Sequence, residues 1–404
     1  MNKLLLFILL VLCVTLVPSY GALDKANTQW LVLSLIPFVF FKSITLKNSS
    51  AIFIIYSFFI FQVCLSLFYT KNYSISFIDV SRHITLFLLL GIFLRLLITN
   101  NLSFNQISFL VSSILIAESV ISLLPLFSFV YENGFVFSNI KSVDLNQFKG
   151  LTGNRNITTA SIVIKFPFLL YIIYKSKIFL RSFYVTLSIL PLLSLFIINS
   201  RAALLSFSLI IITTILFYLI FKRDKIGSLL LILGSTIISF LLSAYILPSK
   251  SIQTTQRLAS INFTNESSSQ RFFLWENAVD YILSNPFIGC GIGNWKVESA
   301  AYWGSLGNNY LVPFHAHNDF LEFATELGIT GGLTYFILFS FISFSLFKSI
   351  YTTKSFKFVV LFTSFIALFI DSLLNFPFER PIIQIMFLLL MGLTIFFKMQ
   401  PYEK

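Results

Sequence analysis

The chain has 404 residues, of which 57% are hydrophobic and only 11% are charged. Its mean hydropathy of +0.88 lies far above that of water-soluble globular proteins, so that class is excluded before any motif is considered. The formal net charge of +12 could indicate a nucleic-acid-binding protein, but the basic residues are scattered between apolar blocks and form no stripe. The composition predicts a polytopic membrane protein with no nucleic-acid partner.

Apolar runs of about 20 residues, the length that a membrane span needs, recur along the whole chain. They predict an all-α bundle of about twelve transmembrane helices, with residues 1–404 forming one integral membrane domain. The approximate cores are 4–19, 29–44, 51–70, 83–98, 107–130, 157–174, 178–198, 202–221, 227–247, 327–347, 356–374 and 381–397. Pro37 interrupts the second run, and residues 1–22 could instead be a cleaved signal peptide.

The distribution of lysine predicts the orientation of these spans. With a cytoplasmic N-terminus, nearly every cytoplasmic turn carries basic residues, which is the positive-inside pattern. Those residues are Lys42, Lys47, Lys175, Lys177, Arg181, Lys222, Arg223, Lys225, Lys348, Lys354, Lys357, Lys398 and Lys404. The opposite face then receives the two longest polar loops, near 131–156 and 248–316, and the second of these is the large external loop.

Arginine use differs between the two faces, because the inside loops carry mostly lysine. The outer arginines are Arg82, Arg155, Arg201, Arg257, Arg271 and Arg380. Positive charge there opposes the insertion bias, and a guanidinium can bind phosphate oxygens with two parallel hydrogen bonds. The pattern favours a phosphate ligand on the outer side, although side chains that extend from helix ends towards the interface would explain several of these arginines.

The large outer loop contains one helical pattern and one glycine-rich turn. Apolar residues from Arg271 to Leu283 recur at helical spacing, which predicts an amphipathic helix on the membrane surface or a small packed helix in an external cap. Its predicted apolar face comprises Phe272, Trp275, Ala278, Val279 and Ile282. Gly289, Gly291 and Gly293 lack the spacing and the preceding strand of a dinucleotide site, so they predict close backbone approach in a tight loop.

Two histidines, His315 and His317, follow this turn. No cysteine or paired carboxylate completes a metal set at the usual spacing, although Asp319, Glu322 and Glu326 could offer oxygen ligands, so we expect neither a metal nor another cofactor. A histidine has an unperturbed pKa of ~6.5 and is therefore suited to proton transfer near neutral pH. A helix cap with a chance histidine is the alternative.

Three charged residues, Glu118, Lys165 and Asp371, lie inside predicted spans. A charge in the membrane is costly unless it is paired or faces a polar cavity. These residues therefore indicate either a functional cavity or an ion pair that holds helices together.

Four motifs in the same order resemble those of the O-antigen ligase and polymerase family. His317-Asn318, nine residues, Gly328, two residues and Gly331 resemble its histidine motif, and Arg201 with the following Ala-Ala-Leu-Leu is similar to its outward arginine motif. The Gly150 to Ala160 segment, with Asn154, Arg155 and Asn156, is similar to its Gly/Asn segment, although Arg155 stands where many relatives carry proline. Arg271 with Trp275, then Pro286 and Gly289-x-Gly291, resembles the loop before the histidine. The resemblance covers residues 150–332.

The resemblance implies a membrane glycosyltransferase in the bacterial inner membrane with its active site facing the periplasm. It implies transfer of a glycan from undecaprenyl diphosphate to a hydroxyl of lipid A-core or another glycan, with inversion and without a metal. His317 would accept the proton of the acceptor hydroxyl, and Arg201 and Arg271 would bind the diphosphate. Supporting residues would be Asn318, Asp319, Glu322, Arg155, Asn154 and Asn156, with Glu322 or Asp319 orienting His317.

The sequence leaves the acceptor open. A ligase in O-antigen or other surface polysaccharide synthesis is favoured because the histidine and arginine motifs fit the ligase pattern, and a repeat-unit polymerase of the same family is the alternative. A lipid-linked glycan flippase or another transporter is the alternative from a different class, with Glu118, Lys165 and Asp371 as relay groups. The sequence shows no convincing internal repeat of the kind that such transporters have.

Overall fold

The computed structural model describes residues 51–100, 102–134, 145–246, 271–302 and 314–399. This part of the chain folds into α-helices and short 3-10 turns, and it contains no strand. The helices are α1 Ala51–Leu65, α2 Tyr73–Asn100, α3 Phe104–Asn133, α4 Arg155–Lys175, α5 Ile178–Ile198, α6 Arg201–Phe221, α7 Ile226–Ile246, α8 Arg271–Ser284, α9 Trp295–Glu298, α10 Asp319–Leu327, α11 Ile329–Thr353, α12 Phe356–Leu374 and α13 Pro381–Met399.

Helices α1–α7 and α11–α13 are long and apolar enough to cross a bilayer, which gives ten candidate spans among the described residues. Each coincides with one of the predicted spans from the third onward, so the predicted helical membrane bundle is confirmed. The first two predicted spans and the cleavage site lie outside the described residues. One start differs: α2 begins at Tyr73 rather than near residue 83. Arg82 can lie inside this helix because Asp79 and Glu379 neutralise it, each at 2.9 Å.

Helices α4 and α13 form the centre of the bundle. Every residue from 157 to 174 in α4 is buried, and so is every residue from 382 to 397 in α13. Helix α4 packs against α3, α5 and α12. A helix that is apolar on all sides is stable in the middle of such a bundle because each of its faces meets another helix.

Helix α6 shows how the outer surface suits lipid. Its exposed large side chains recur every three or four residues along one face. They are Leu205, Leu209, Ile212, Leu216, Leu219 and Ile220. A continuous apolar stripe of this kind is the expected surface of a helix that contacts hydrocarbon chains.

The charged pair inside the membrane links α3 to α4. Lys165 Nζ donates to Glu118 Oε2 at 2.8 Å and also to the Ser161 hydroxyl, and both charged side chains are buried. Of the two interpretations that the sequence left open, the ion pair between helices holds for these residues. Asp371 belongs elsewhere, since it accepts a hydrogen bond from Asn375.

The predicted amphipathic helix is α8, and it is a packed helix. Its buried side chains are Leu274, Asn277, Ala278, Tyr281 and Ile282, whereas Val279 is 40% exposed. The buried face is therefore rotated from the predicted one. The reason is tertiary: α8 packs against α10, and the Tyr281 ring meets the Trp295 ring with centroids 5.6 Å apart.

Candidate active site

Three connections between helices meet at one end of the bundle, which we call the site end. Residues 271–302 are the described part of the large external loop, and we call them the external segment. Lys71, after α1, donates to Glu298 in this segment at 2.7 Å. Arg271, the first residue of α8, donates from Nη2 to Asn375 Oδ1 after α12 at 3.0 Å. These contacts join the α1–α2, α7–α11 and α12–α13 connections, which the lysine pattern assigns to the outer face.

His317 lies at a strained turn that begins α10. Its φ of 53° is in the left-handed region, which residues other than glycine and asparagine seldom adopt. The next residue, Asn318, is the N-cap, and its Oδ1 accepts from the Phe320 and Leu321 backbone N–H groups at 3.0 and 3.1 Å. Because the cap fixes the start of the helix, the strained residue before it has a defined orientation.

The ring of His317 is uncharged at neutral pH. Burial, then the charges of Arg271 and His315, lower the pKa of His317 to about 4. Its Nδ1 is buried and has no hydrogen-bond partner among the described residues. The edge of the ring meets the Phe376 ring, with centroids 4.8 Å apart and an angle of 82°. An unprotonated imidazole at this position can accept a proton.

The neighbouring His315 has the opposite electrostatic environment. Its Nδ1 lies 2.8 Å from Glu322 Oε1, and Glu322 Oε2 accepts from the Ala316 N–H at 3.0 Å. Burial would lower the pKa of His315, but the Glu322 carboxylate outweighs it and the pKa is raised. Glu322 therefore contacts His315 rather than His317, the ring that Glu322 or Asp319 was expected to orient, because the His315 ring, stacked on Phe376, lies against the Glu322 carboxylate.

Asp319 lies at the first turn of α10 but is not exposed to solvent. It is 4% exposed, and burial followed by repulsion from Glu322 raises its pKa well above the ordinary value. Its Oδ2 has no partner within the described part of the chain. Asp319 is therefore a buried carboxyl group beside the histidine turn, in an environment that disfavours its charged form.

Arg271 is held by a short chain of polar contacts. It donates to Asn375, which in turn donates to Asp371 near the end of α12. Burial lowers the pKa of Arg271, Asp371 opposes this effect, and the charge of Arg201 adds to it. Arg201 and Arg271 are consequently close enough to repel each other, which is an arrangement that an anion between them would stabilise.

Arg201 begins α6 directly at the site end. Asn199 closes α5 in the left-handed conformation, and Ser200 precedes α6 in an extended one. The Arg201 side chain is exposed. The structure thus brings together three residues that the sequence selected, Arg201, Arg271 and His317.

The Gly/Asn segment has a different local role. Asn154 is the N-cap of α4, and its Oδ1 accepts from the Asn156 backbone N–H at 2.9 Å. Arg155, the first residue of α4, is half-buried. Hydrogen bonds within this segment join Thr152 to the Asn154 carbonyl and to the Thr158 hydroxyl.

The glycine turn forms a tight contact, as predicted. A Cβ at Gly289 would lie 2.3 Å from the Thr325 carbonyl oxygen, and one at Gly291, where φ is 91°, would lie 2.5 Å from Thr70 Oγ1. The Cys290 and Gly291 N–H groups donate to the Thr325 and Glu326 carbonyls at 3.0 and 2.9 Å. This turn therefore fixes the external segment against the end of α10.

Not every outer arginine is available for a ligand. Both Nη atoms of Arg82 donate to the Glu379 carboxylate at 2.9 Å, and this interaction lowers the pKa of Glu379 although burial opposes it. Arg257 lies outside the described residues. Within the described ranges, no group of three or more His, Cys, Asp or Glu side chains could hold a metal ion.

The sequence missed the contribution of the α12–α13 connection. Asn375 contacts Arg271, and Phe376 separates the two histidines, with the His315 ring stacked on it at 4.4 Å. The sequence does contain a sign of this turn, since Asn375-Phe-Pro377 places a polar residue and a proline at the outer end of two consecutive spans. Without contacts, however, a turn of this kind is typical of any connection between two spans.

Comparison with known proteins identifies similarity over this region. The O-antigen ligase family matches residues 186–336, a range that contains Arg201, Arg271 and His317. A Rickettsia typhi protein with the provisional name of polysaccharide ligase is 26% identical over 335 residues, which cover 81% of this chain and 76% of that protein. A Rickettsia conorii protein with the same provisional name is 29% identical over 79 residues, 19% of each chain.

These similarities confirm the predicted resemblance to the O-antigen ligase family. They support a polysaccharide ligase at the level of the family and, with the ten apolar helices, a multi-pass membrane protein. The single-domain organisation and the roles of the individual residues remain predictions.

Proposed function

Because the chain carries an O-antigen ligase family region, we propose that it transfers a glycan from undecaprenyl diphosphate to an acceptor hydroxyl. The acceptor is the hydroxyl of lipid A-core or of another glycan, and the reaction takes place at the periplasmic face of the bacterial inner membrane. One observation carries the proposal: an uncharged histidine, His317, lies within the electrostatic influence of Arg271, which itself lies within that of Arg201.

In this proposal His317 is the general base. The acceptor hydroxyl donates its proton to the ring, and the hydroxyl oxygen attacks the anomeric carbon of the glycan. General base catalysis of this kind contributes about 10²–10⁴-fold in rate. The unpaired Nδ1 supports this role, and the lowered pKa keeps the ring unprotonated at neutral pH, so that a nitrogen lone pair is available.

Arg201 and Arg271 are the diphosphate-binding residues. As the bond from the anomeric carbon to the diphosphate oxygen breaks, negative charge develops on the leaving group, and two guanidiniums can stabilise it. A single displacement by the acceptor oxygen inverts the anomeric configuration. The two cations supply the charge stabilisation that a metal would otherwise provide, so the proposal includes no metal.

The remaining polar residues support this centre. Asn318 fixes the helix start beside His317, and Glu322 fixes the histidine turn through His315. Asn154, Arg155 and Asn156 begin the central helix α4, and we place them at the edge of the donor site.

The test uses purified protein in liposomes that contain one lipid-diphosphate-linked repeat unit, with a lipid-core acceptor added or omitted. His317→Ala and Arg201→Ala should abolish transfer while expression is retained. His317→Asn is the sharper variant, because asparagine tolerates the left-handed conformation but is no base. Arg223→Ala, on the opposite end of the bundle, is the matched arginine control and should leave transfer unchanged.

The products distinguish a ligase from a polymerase. Transfer that requires the lipid-core acceptor would support the ligase. A glycan ladder that grows without this acceptor and disappears in His317→Ala would assign the polymerase instead. Full activity of His317→Asn or Arg201→Ala would contradict the mechanism.

A further inference from the structure

A cavity lies at the end of the bundle opposite the candidate active site. Its volume is about 510 Å³. The residues around it come from the α2–α3, α4–α5, α6–α7 and α11–α12 connections and from the end of α13. The proposed ligase reaction makes no use of this region, since His317, Arg201 and Arg271 lie at the site end.

Four lysines from three different connections converge on this cavity. They are Lys175, Lys222, Lys354 and Lys357, and no acidic residue is among the residues that line it. Within the described ranges, the first three have no carboxylate within ion-pair distance, while Lys357 Nζ lies 4.2 Å from the centre of the Phe397 ring. Four like charges around one space repel each other, so an anion in that space would be stabilised.

The deeper wall of the cavity is aromatic. Phe104, Tyr174, Phe356 and Phe397 line it, and each is buried to at least nine-tenths. The lysines lie towards the surface, where Lys175 and Lys354 are exposed. A ligand with an anionic group and an apolar part matches this division better than a small hydrated ion does.

The positive-inside rule accounts for lysines in these connections, but it does not require them to surround a common space. Other lysines on the same end show the difference: Lys177 and Lys348 are exposed and do not line the cavity. Basic pockets between transmembrane helices on the cytoplasmic side are a recurrent form of site for phosphate-bearing lipid headgroups.

We propose that this cavity binds the phosphate group of an anionic phospholipid from the adjacent leaflet, with Lys175, Lys222 and Lys354 around the phosphate. The aromatic wall accommodates the glycerol and the first part of the acyl chains. The site is separate from the proposed reaction, so the binding measurement below does not depend on transfer activity.

The experiment is native mass spectrometry of the full-length protein in detergent with added phosphatidylglycerol, and with phosphatidylcholine, whose zwitterionic headgroup has no net charge, as the comparison lipid. Lys222→Gln/Lys354→Gln removes two charges at the cavity, and Lys177→Gln/Lys348→Gln removes two charges at the same end outside it. We expect about tenfold weaker phosphatidylglycerol binding in the cavity variant and less than about twofold in the control, since a lysine near a phosphate contributes on the order of one power of ten or less. Lys354→Gln alone, at an exposed position, should also weaken phosphatidylglycerol binding. This single variant replaces the double variant if the double variant is unstable.

Three results would overturn the proposal. Equal losses in both double variants would show general surface attraction, and unchanged binding in the cavity variant would show that the lysines do not contact the lipid. Displacement of phosphatidylglycerol by millimolar inorganic phosphate would assign the cavity to a free phosphate. Retention of phosphatidylglycerol in the presence of inorganic phosphate, with loss only in the cavity variant, is the result that supports a lipid.

Discussion

Two histidines separated by one residue have opposite ionisation tendencies in this protein. His315 contacts Glu322, and the pKa of His315 is raised, whereas His317 has no carboxylate partner among the described residues and its pKa is lowered. Phe376 lies between the two rings. Both histidines lie in one short segment, so the difference comes from what α10 and the α12–α13 connection place beside each ring.

The lowered pKa of His317 predicts its pH dependence. Since the pKa is about 4, the ring remains uncharged down to about pH 5, and transfer should lose its base only below that pH. Arg271→Gln should raise the pKa of His317, although only in part, because burial is the largest cause of the shift. The chain has 3 histidines, so NMR of ¹³C-histidine-labelled protein can follow each ring. Titration of His317 near ~6.5 in the unaltered protein would contradict the buried environment.

Glu322→Gln tests the role of the His315 contact. Because the folded-state pKa of His315 lies above the unfolded value of ~6.5, the pair stabilises the protein at low pH and loses this contribution as the pH rises through the folded pKa. The unaltered protein should therefore exceed Glu322→Gln in thermal stability by more at about pH 6 than at about pH 9. Glu379 and Lys296 also act on His315, and both are retained in this comparison. A difference that does not vary with pH would argue against the ion pair.

Candidate site residues could be selected from the sequence where a motif contained them. His317-Asn318 and Arg201 could be selected because their spacing to glycine and to small residues is recognisable. Asn375 and Phe376 could not be selected, because they act through contacts with residues distant in sequence. Glu322 was expected to orient His317 but contacts His315, because the path of the chain before α10, which the sequence does not show, decides which ring the carboxylate meets.

At the scale of elements, the external segment is held against α10 and the α1–α2 region by backbone and side-chain contacts. Gly289 and Gly291 allow this segment to approach the end of α10, and Asn294 Nδ2 donates to Thr70 and Ser76 at 2.8 and 2.7 Å. The glycine pattern predicted a tight turn, and this prediction is confirmed. Its partners could not be predicted, because a glycine shows that space is limited but not what limits it.

Gly289→Ala should therefore destabilise the protein. The added methyl group would lie 2.3 Å from the Thr325 carbonyl oxygen, and relief of such overlap in a packed region typically costs about 1–3 kcal/mol. The matched control is Gly234→Ala in α7, where nothing lies within 4 Å of the new methyl group. We expect the control to be neutral or to stabilise by up to about 1 kcal/mol. Thermal unfolding in detergent measures both, and equal midpoints would refute the contact.

At the scale of the molecule, the central helix α4 carries a buried cation that another helix neutralises. Lys165→Met leaves Glu118 unpaired inside the bundle, which typically costs about 3–5 kcal/mol. Lys165→Met/Glu118→Met removes both charges and should recover most of the lost thermal stability. If the pair is only structural, the double variant transfers glycan at the normal rate per folded molecule. Normal stability with lost transfer would instead favour the functional-cavity interpretation of these residues.

The sequence by itself determined the class of the molecule, the positions of its ten described spans and the motifs that resemble those of the O-antigen ligase family. The length of an apolar run and the distribution of basic residues between loops depend only on neighbouring residues, so a single sequence shows both. The tertiary structure decided which charges are neutralised, which face of α8 is buried and which histidine stays uncharged. Each of these depends on side chains from distant segments, such as Glu379 at Arg82 and Arg271 near His317, because burial and electrostatic attraction depend on distance in space.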